Sequence, residues 1–483
     1  MTLANNPDLQ SIARQVMLDY GFNPDFPPPV QQQLAQLKST PPADGLRDLR
    51  NLLWSSIDND TSKDLDQIEV AEPLPSGDVK IMVGIADVDT DVPRDSAIDQ
   101  HACSQATTVY TGVRNFSMLP EKLSTGLTSL LENQDNASII IEFVVSADGH
   151  VKSTDLYRAL VRNRAQLTYA GVGGWLENTA PAPSKVAAST DLQAQLKLQN
   201  TVAQALRQQR YRHGALNIET IEVRPILIND RVADVVKQEK NLGTELIEDF
   251  MIAANEVVAR ALLNVSSIRR VVKTPERWDR IVQLAAPQGG HLPANPDSKA
   301  LNDFLMQRKA ADPTHFADLS LAVIKLMGPG EYILERPGDP ETGHFGLAVQ
   351  DYTHSTAPNR RFADLVTQRL IKSFLGKGSN PYTDSELDSI AKTCTEREDA
   401  ARKVEREMSK RISAAALADR IGQVFDAIIT GASSKGTFVR VLKPHVEGML
   451  VQGQQGLDVG DSLRVKLVRT DIQKGYIDFA KAA

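Results

Sequence analysis

The chain has 483 residues, 41% hydrophobic and 24% charged, a balance that excludes a disordered or fibrous protein and suffices for two to four domains. Cys103 and Cys394 are its only cysteines, which excludes a disulfide framework or a four-cysteine zinc site and leaves neither thiol an expected disulfide partner. A net charge of −7 argues on its face against a nucleic-acid partner, but local basic surface and bound metal ions decide that question, not the global sum.

In chain order, the opening Met1-Thr-Leu-Ala-Asn-Asn has neither a basic nor a continuous apolar segment, so a cytoplasmic location is expected. Residues 8–40 read as two short helices separated by Phe26-Pro-Pro-Pro29, a small N-terminal lobe. From about 48 to 160 the pattern is rich in strands. Val79 to Ala86 reads as a buried strand and Ile139–Val145 as another, with Asp148-Gly149 supplying a hairpin turn into Val151. The run Ile139–Val145 is broken by Glu142 and is far too short to cross a membrane.

The stretch 179–189, rich in Pro, Ala and Ser, reads as a loop and 190–212 as a helix. Thr244–Leu263 repeats apolar residues at three- and four-residue steps (Leu246, Ile247, Phe250, Met251, Ala254, Val257, Val258), which predicts an amphipathic helix. A second such helix follows Pro358, with Phe362, Leu365, Val366, Leu370 and Phe374 on one face, and a long charged helix spans 385–419. The last 60 residues return to short strands punctuated by Gly, which places a domain boundary near 420. Basic clusters stand at Arg158/Arg162/Arg164, Arg207/Arg210/Arg212 and Lys403/Arg406/Lys410/Arg411, each either a nucleic-acid footprint or a solvated helix face.

The segment Ser56-Ile-Asp-Asn-Asp-Thr-Ser-Lys-Asp-Leu-Asp-Gln67 packs four carboxylates into nine residues. Like charges this dense repel, and a hard, oxygen-liking cation such as Mg²⁺, Mn²⁺ or Ca²⁺ relieves them. Three readings compete. One is a solvated acidic loop. Another is an EF-hand, with Asp58, Asp60, Ser62, Asp64, Asp66 and Glu69 on its ligand positions, against which Lys63 stands where the loop needs Gly and the flanks read as strands. The last is a nuclease whose carboxylates hold one or two metal ions against a phosphodiester.

The order of motifs from about 45 to 480 resembles the RNase II/RNase R family of exoribonucleases. The resemblance rests on Ile57 to Asp66, Gly84-Ile-Ala-Asp-Val88, Thr108-Val-Tyr110 with Ser117 to Ser124, His213-Gly-Ala-Leu216, Leu246 to Asn255, and Tyr352-Thr-His-Ser-Thr-Ala-Pro-Asn-Arg-Arg-Phe-Ala-Asp-Leu365. It implies that Asp58, Asp64 and Asp66 bind metal. Tyr110 would stack near the 3′-terminal nucleotide, Glu248 contact the terminal ribose, Arg360 lie beside the scissile phosphate, and Glu405 support the end of the RNA path. Asp64, Asp66 and Arg360 are the expected catalytic set. Gln67 stands where relatives commonly carry a second acid; its amide oxygen can still ligate Mg²⁺, but without the charge, for which Asp60 could compensate though the motif does not require it. Where some relatives place an aromatic clamp, the sequence has Ile218. His213 and His354 lack a His/Cys cluster around them and are read as structural.

Gly422 to Lys481 alternates short strands with corner glycines, as in a five-stranded OB barrel, and resembles the RNA-binding OB module of ribosomal and exoribonuclease proteins. Phe425 and Phe438 are candidates either to stack bases or to fill the barrel, and Lys435, Arg440 and Lys443 to follow phosphates. Relatives often carry two cold-shock-like modules ahead of the catalytic domain, and the roughly 45 residues here leave no room for them.

The expectation is therefore an α+β protein: a helical lobe over 1–40, a catalytic domain of mixed strands and helices over 41–420, and an OB barrel over 421–483. The expected activity is Mg²⁺-dependent (Mn²⁺ as substitute) 3′→5′ hydrolysis of single-stranded RNA to nucleoside 5′-monophosphates, by a chain favoured as a monomer and without a membrane partner. Its rivals are a catalytically silent RNA-binding protein whose metal site Gln67 has broken, and a Ca²⁺ sensor.

Overall fold

A computed structural model describes residues 8–38, 45–228, 231–433 and 436–482. Two helices open the chain, α1 (Leu9–Asp19) and α2 (Pro28–Gln36). The Asp8 carboxylate caps α1, and α2 begins at the prolines, whose missing N–H groups cost nothing in a first turn. Neither has a core of its own. Ala13, Val16 and Met17 of α1 pack against Ala401, Val404 and Met408 of the long C-terminal helix, while Val30 of α2 joins the main core.

The centre is a seven-stranded sheet. Its first four strands are β1 (Arg47–Asp48), β2 (Ser55–Asp58), β3 (Gln67–Pro73) and β4 (Val79–Ala86). Helix α3 (Ala97–Gln105) and a short hairpin, β5 (Val109–Tyr110) with β6 (Asn115–Phe116), intervene before β7 (Asp135–Val145), β8 (Val151–Arg162) and β9 (Ala165–Thr168) complete it. Its spatial order is β1-β8-β7-β4-β3-β2-β9, antiparallel except for the pairs β1/β8 and β2/β9. Gly149, at φ +89°, closes the β7–β8 hairpin where expected; a Cβ there would run into the Ala205 carbonyl, so only glycine fits.

After α4 (Tyr169–Leu176), the stretch expected as loop contains one helical turn, α5 (Ser184–Ala187), before α6 (Thr190–Arg212). Pro183 ends the preceding extended segment and so permits that turn. Beyond the hairpin of β10 (Glu222–Ile228) and β11 (Arg231–Gln238) comes α7 (Leu242–Ala261), started by an Asn241/Thr244 capping box. Helix α6 packs on β3 and α7 on β7, where Phe250 meets Phe143 edge to face at 6.3 Å. This pairing lies in a core that runs from Val30 to Cys394.

Strand β12 (Ser267–Val271) pairs with β13 (Glu331–Glu335). Between them α8 (Trp278–Ala285), α9 (Ser298–Ala311) and α10 (Phe316–Met327) close a smaller core of Trp278, Phe304 and Phe316, with Ile218 packed on its edge. Helix α11 (Phe362–Leu375) buries Phe362, Leu365, Val366 and Leu370 as predicted, but Phe374 is exposed. It lies in the last turn of the helix.

Helix α12 (Asp384–Leu417), with its Thr383/Glu386 capping box, ties the molecule together. It packs in turn on α3, β13, β5, α1 and β11, and its end inserts Ala414 and Leu417 into the core of a closed barrel. The barrel strands are β14 (Val424–Ser433), β15 (Gly436–Val441), β16 (Val446–Gln452), β17 (Ser462–Asp471) and β18 (Tyr476–Lys481), in the order β14-β15-β16-β18-β17. Among the described residues no helix is long and apolar enough to cross a membrane.

Candidate active site

The acidic segment is the connection between β2 and β3. Asp58 ends β2, Gln67 opens β3, and the residues between loop out of the sheet edge beside β9. That loop is pinned. Ser129 Oγ donates to the Lys63 carbonyl at 2.7 Å and accepts the Leu65 N–H at 2.9 Å, while the Ala86 N–H donates to the Asp66 carbonyl at 2.9 Å. Leu65 points into the core, so its neighbours Asp64 and Asp66 are turned the other way, the alternation an extended segment imposes. Ser62 Oγ donates to Asp58 at 3.0 Å.

Across from the loop lies the segment 352–361. The Asn359 N–H donates to Asp66 Oδ1 at 2.9 Å, and the Asn359 side chain is held by Thr128, whose Oγ1 donates to Asn359 Oδ1 at 2.5 Å. Arg360 then brings its Nε to 3.7 Å from Asp66 Oδ2. Its own carbonyl accepts the Thr108 N–H at 2.9 Å, which draws β5 and Tyr110 to the same place. Glu405 of α12 accepts the Tyr110 N–H at 3.0 Å, and Tyr110 as a whole residue is 41% exposed.

The electrostatics agree with this convergence. Burial pushes Asp66 up to about 7, against the pull of Arg360 and the Asn359 N–H. Burial likewise raises Asp58 and Asp64, each again opposed by Arg360. Burial raises the Tyr110 phenol, which feels Arg360 and all three aspartates. Asp58, Asp64, Asp66 and Tyr110 thus all lie within reach of the Arg360 charge, and Gln67 is buried at the start of β3.

Glu248 lies further out on α7, paired with Lys240 at 2.7 Å. Its charge reaches Tyr169, the first residue of α4, whose phenol also feels Asp58, Glu69 and Arg360. Tyr169 was not singled out from the sequence. A tyrosine after a capping Thr168 carries no pattern there, and only the contact of α4 with β2 and α7 brings it to the acids.

Asp58 and Glu69 lie on strands, not at the ends of helices, and Asp60 points into solvent, so the EF-hand reading fails: its loop requires flanking helices to aim the ligands inward. Among the described residues no three His, Cys, Asp or Glu side chains stand close enough together to enclose a metal ion. In chemistry the donor set does fit one. Asp58, Asp64 and Asp66 offer only oxygens, each is strained by burial as an anion, and a hard divalent cation is the charge that would settle them.

The barrel corrects two expectations. Phe425 is buried in the barrel core, edge to face with Phe479 at 6.4 Å, and has no open face for a base. Arg440 is buried too, and its guanidinium grips Asp318 of α10 with two nitrogens, so that charge is spent on joining the barrel to the body. Phe438 is half-buried on β15 opposite Met449, Lys443 is exposed, and Lys435 lies outside the described residues.

Two basic clusters are mostly neutralised. Arg158 pairs with Asp87 at 2.7 Å, Arg162 with Asp135 at 2.5 Å, and Arg207 and Arg210 both with Asp249. Lys403, Arg406 and Lys410 stay exposed on α12, where Arg411 instead pairs with Glu407 at 2.6 Å. His354 is half-buried with its Nδ1 2.7 Å from the Tyr332 hydroxyl, and His213 caps α6, so both are structural.

Comparison with known proteins places this geometry. The RNB domain profile matches residues 46–377, and that of the RNase II-type exonuclease C-terminal S1 domain matches residues 423–482. Ribonuclease R of Thermotoga maritima is 31% identical over 470 residues, covering 90% of this chain and 64% of that protein. Ribonuclease R 1 of Lactococcus lactis is 28% identical over 505 residues, covering 96% and 60%. The chain thus spans about three fifths of the length of these relatives. Mycoplasma genitalium RNase R, solved in complex with double-stranded RNA, superposes with a TM-score of 0.85 at 25% identity, over 99% of this chain and 84% of that one.

Proposed function

The chain belongs to the RNB family, and from that footing we propose that it is an exoribonuclease that hydrolyses single-stranded RNA from the 3′ end, releasing nucleoside 5′-monophosphates with Mg²⁺ as cofactor. The observation that carries the reading is the Asp66–Arg360 pair, separated by 3.7 Å and held in register by the Asn359 N–H. An anion-binding guanidinium and a cation-binding carboxylate side by side are what a phosphodiester under attack by water requires.

Arg360 offers a planar pair of donors to the phosphoryl oxygens. Tyr110 offers a ring face on which any terminal base can stack, so the site accepts every sequence. Glu405 fixes the backbone of Tyr110 and with it the depth at which that base rests. Glu248, whose charge also reaches Tyr169, would contact the terminal ribose hydroxyls. Asp58, Asp64 and Asp66 would hold Mg²⁺, with the Gln67 amide as an uncharged fourth donor. When bound, the cation supplies charge neutralisation and an activated water.

One observation favours a second reading, a silent RNA-binding protein: Gln67 replaces a charge, and no three carboxylates among the described residues already enclose a cation point. Incubating 5′-labelled single-stranded RNA with Mg²⁺, with and without EDTA, separates the two. A ladder shortening from the 3′ end, stopped by EDTA, supports the enzyme. Intact RNA that still shifts on a gel supports the binder.

A further inference from the structure

Helix α1 has no part in the chemistry above, yet it packs against the back of the site. Its Ala13, Val16 and Met17 share one hydrophobic core with Val109 and Phe116 of the β5–β6 hairpin and with Val404 of α12. Val109 directly precedes Tyr110, and Val404 directly precedes Glu405. Both valines are fully buried, while strand alternation turns Tyr110 away from Val109 and leaves it exposed.

The turn after α1 adds polar ties to α12 and α3. The Tyr20 hydroxyl donates to Glu407 at 3.0 Å, Arg397 donates to the Gly21 carbonyl at 2.8 Å, and the Asn23 N–H donates to Gln105 at 3.1 Å. Gln105 closes α3, and the next two residues meet the arginine segment. The Ala106 carbonyl accepts the Phe362 N–H at 2.8 Å, and Thr107 pairs with Arg361.

Strands β5 and β6 pair over only two residues each, a ribbon too short to hold its shape alone. Its surroundings must hold it. On one side stand the bonds from the Tyr110 N–H to Glu405 and from the Thr108 N–H to the Arg360 carbonyl. On the other stands the core that α1 fills.

We propose that α1 is a positioning element for the terminal nucleotide: by filling the core behind Val109 and Val404 it sets where the Tyr110 ring and the Glu405 carboxylate stand. Met17, the largest of its fully buried side chains, is the principal positioning residue. The proposal rests on the placement of Tyr110 in the RNA site given above.

The test is the affinity of the full chain for a short 5′-fluorescein-labelled oligoribonucleotide, read by anisotropy in EDTA so that hydrolysis plays no part. Met17→Ala should weaken it about fivefold or more, the lower end of what one base–aromatic stack contributes. Met17→Leu conserves volume and should bind as wild type. In a Tyr110→Ala background Met17→Ala should cost no more than about twofold further, because both changes remove the same contact. Leu156→Ala, a core truncation on β8 toward the far edge of the sheet from the acid loop, should leave affinity unchanged.

Full additivity of Met17→Ala with Tyr110→Ala, wild-type affinity in Met17→Ala, or an equal loss in Leu156→Ala would overturn the proposal. Should Met17→Ala not fold, Tyr20→Phe, which removes only the bond to Glu407, enters the same cycle and is held to the same coupling. Failure of the underlying reading looks different. Labelled RNA left intact with Mg²⁺ would sink the exoribonuclease and leave the binding cycle to decide this proposal. Tyr110→Ala binding as tightly as wild type would sink the placement of Tyr110, and this proposal with it.

Discussion

The backbone N–H of Asn359 and the carboxylate of Asp66, 2.9 Å apart, join two segments that the chain keeps almost 300 residues from each other. The bond does more than hold a loop. It fixes one oxygen of Asp66 and leaves the other toward Arg360.

Asp66→Asn should abolish hydrolysis and leave RNA affinity largely intact. The amide keeps the size and can still accept the Asn359 N–H, but it cannot balance a divalent cation. A labelled-RNA time course measures the first property and filter binding the second. Retained turnover would remove Asp66 from the metal site.

Phe425 and Phe438 should behave differently although both are barrel aromatics. Phe425→Ala opens a cavity in a small core and should cost about 3–5 kcal/mol in chemical denaturation. Phe438 is half-buried at the barrel surface. Phe438→Ala should cost little stability, and its effect belongs in RNA binding. Weakened RNA binding by Phe425→Ala in a fully folded chain would restore it as a stacking residue.

The Arg440–Asp318 contact predicts coupling between barrel and body. Asp318→Asn leaves a buried guanidinium half-paired and should lower stability by about 1–3 kcal/mol. It should also expose the β15 region and α10 to faster amide exchange. Unchanged exchange at both elements would mean that the barrel is held by α12 alone.

His354 predicts a pH dependence. Desolvation of its ring, and then the charges of Arg361, Arg270, His344 and Arg360, hold its pKa well below the ordinary imidazole value. The folded chain therefore keeps the neutral ring. Its contribution to stability is complete above the unfolded value of about 6.5 and is lost as pH falls below it, by at most about 1.4 kcal/mol per pH unit. The raised aspartates of the site work in the opposite direction, so the comparison must be differential: melting temperatures from pH 7.5 to 5.0 for wild type and His354→Gln. Parallel curves would refute the assignment.

Much of this molecule was legible before any coordinate. Helix α6 runs from Thr190 to Arg212, the range read as a helix after the Pro/Ala/Ser-rich loop, and Asp148-Gly149 turns the hairpin its residues demand. These features depend on residues a few positions apart, and local chemistry determines them. The acid spacing admits a cation site beside a solvated loop, because like charges so dense repel.

What sequence could not decide is which groups meet across the fold and which side chains lose their water. Arg360 reaches Asp66 because β5, Asn359 and Thr128 draw the two segments together. Tyr169 enters the site through the packing of α4, Phe425 turns inward and Arg440 finds Asp318. Glu69 becomes a buried, uncompensated acid only once α6 covers β3. Periodicity assigns a residue to a face of its own element; the partner across that face, and the desolvation that sets the chemistry there, follow from how distant elements pack.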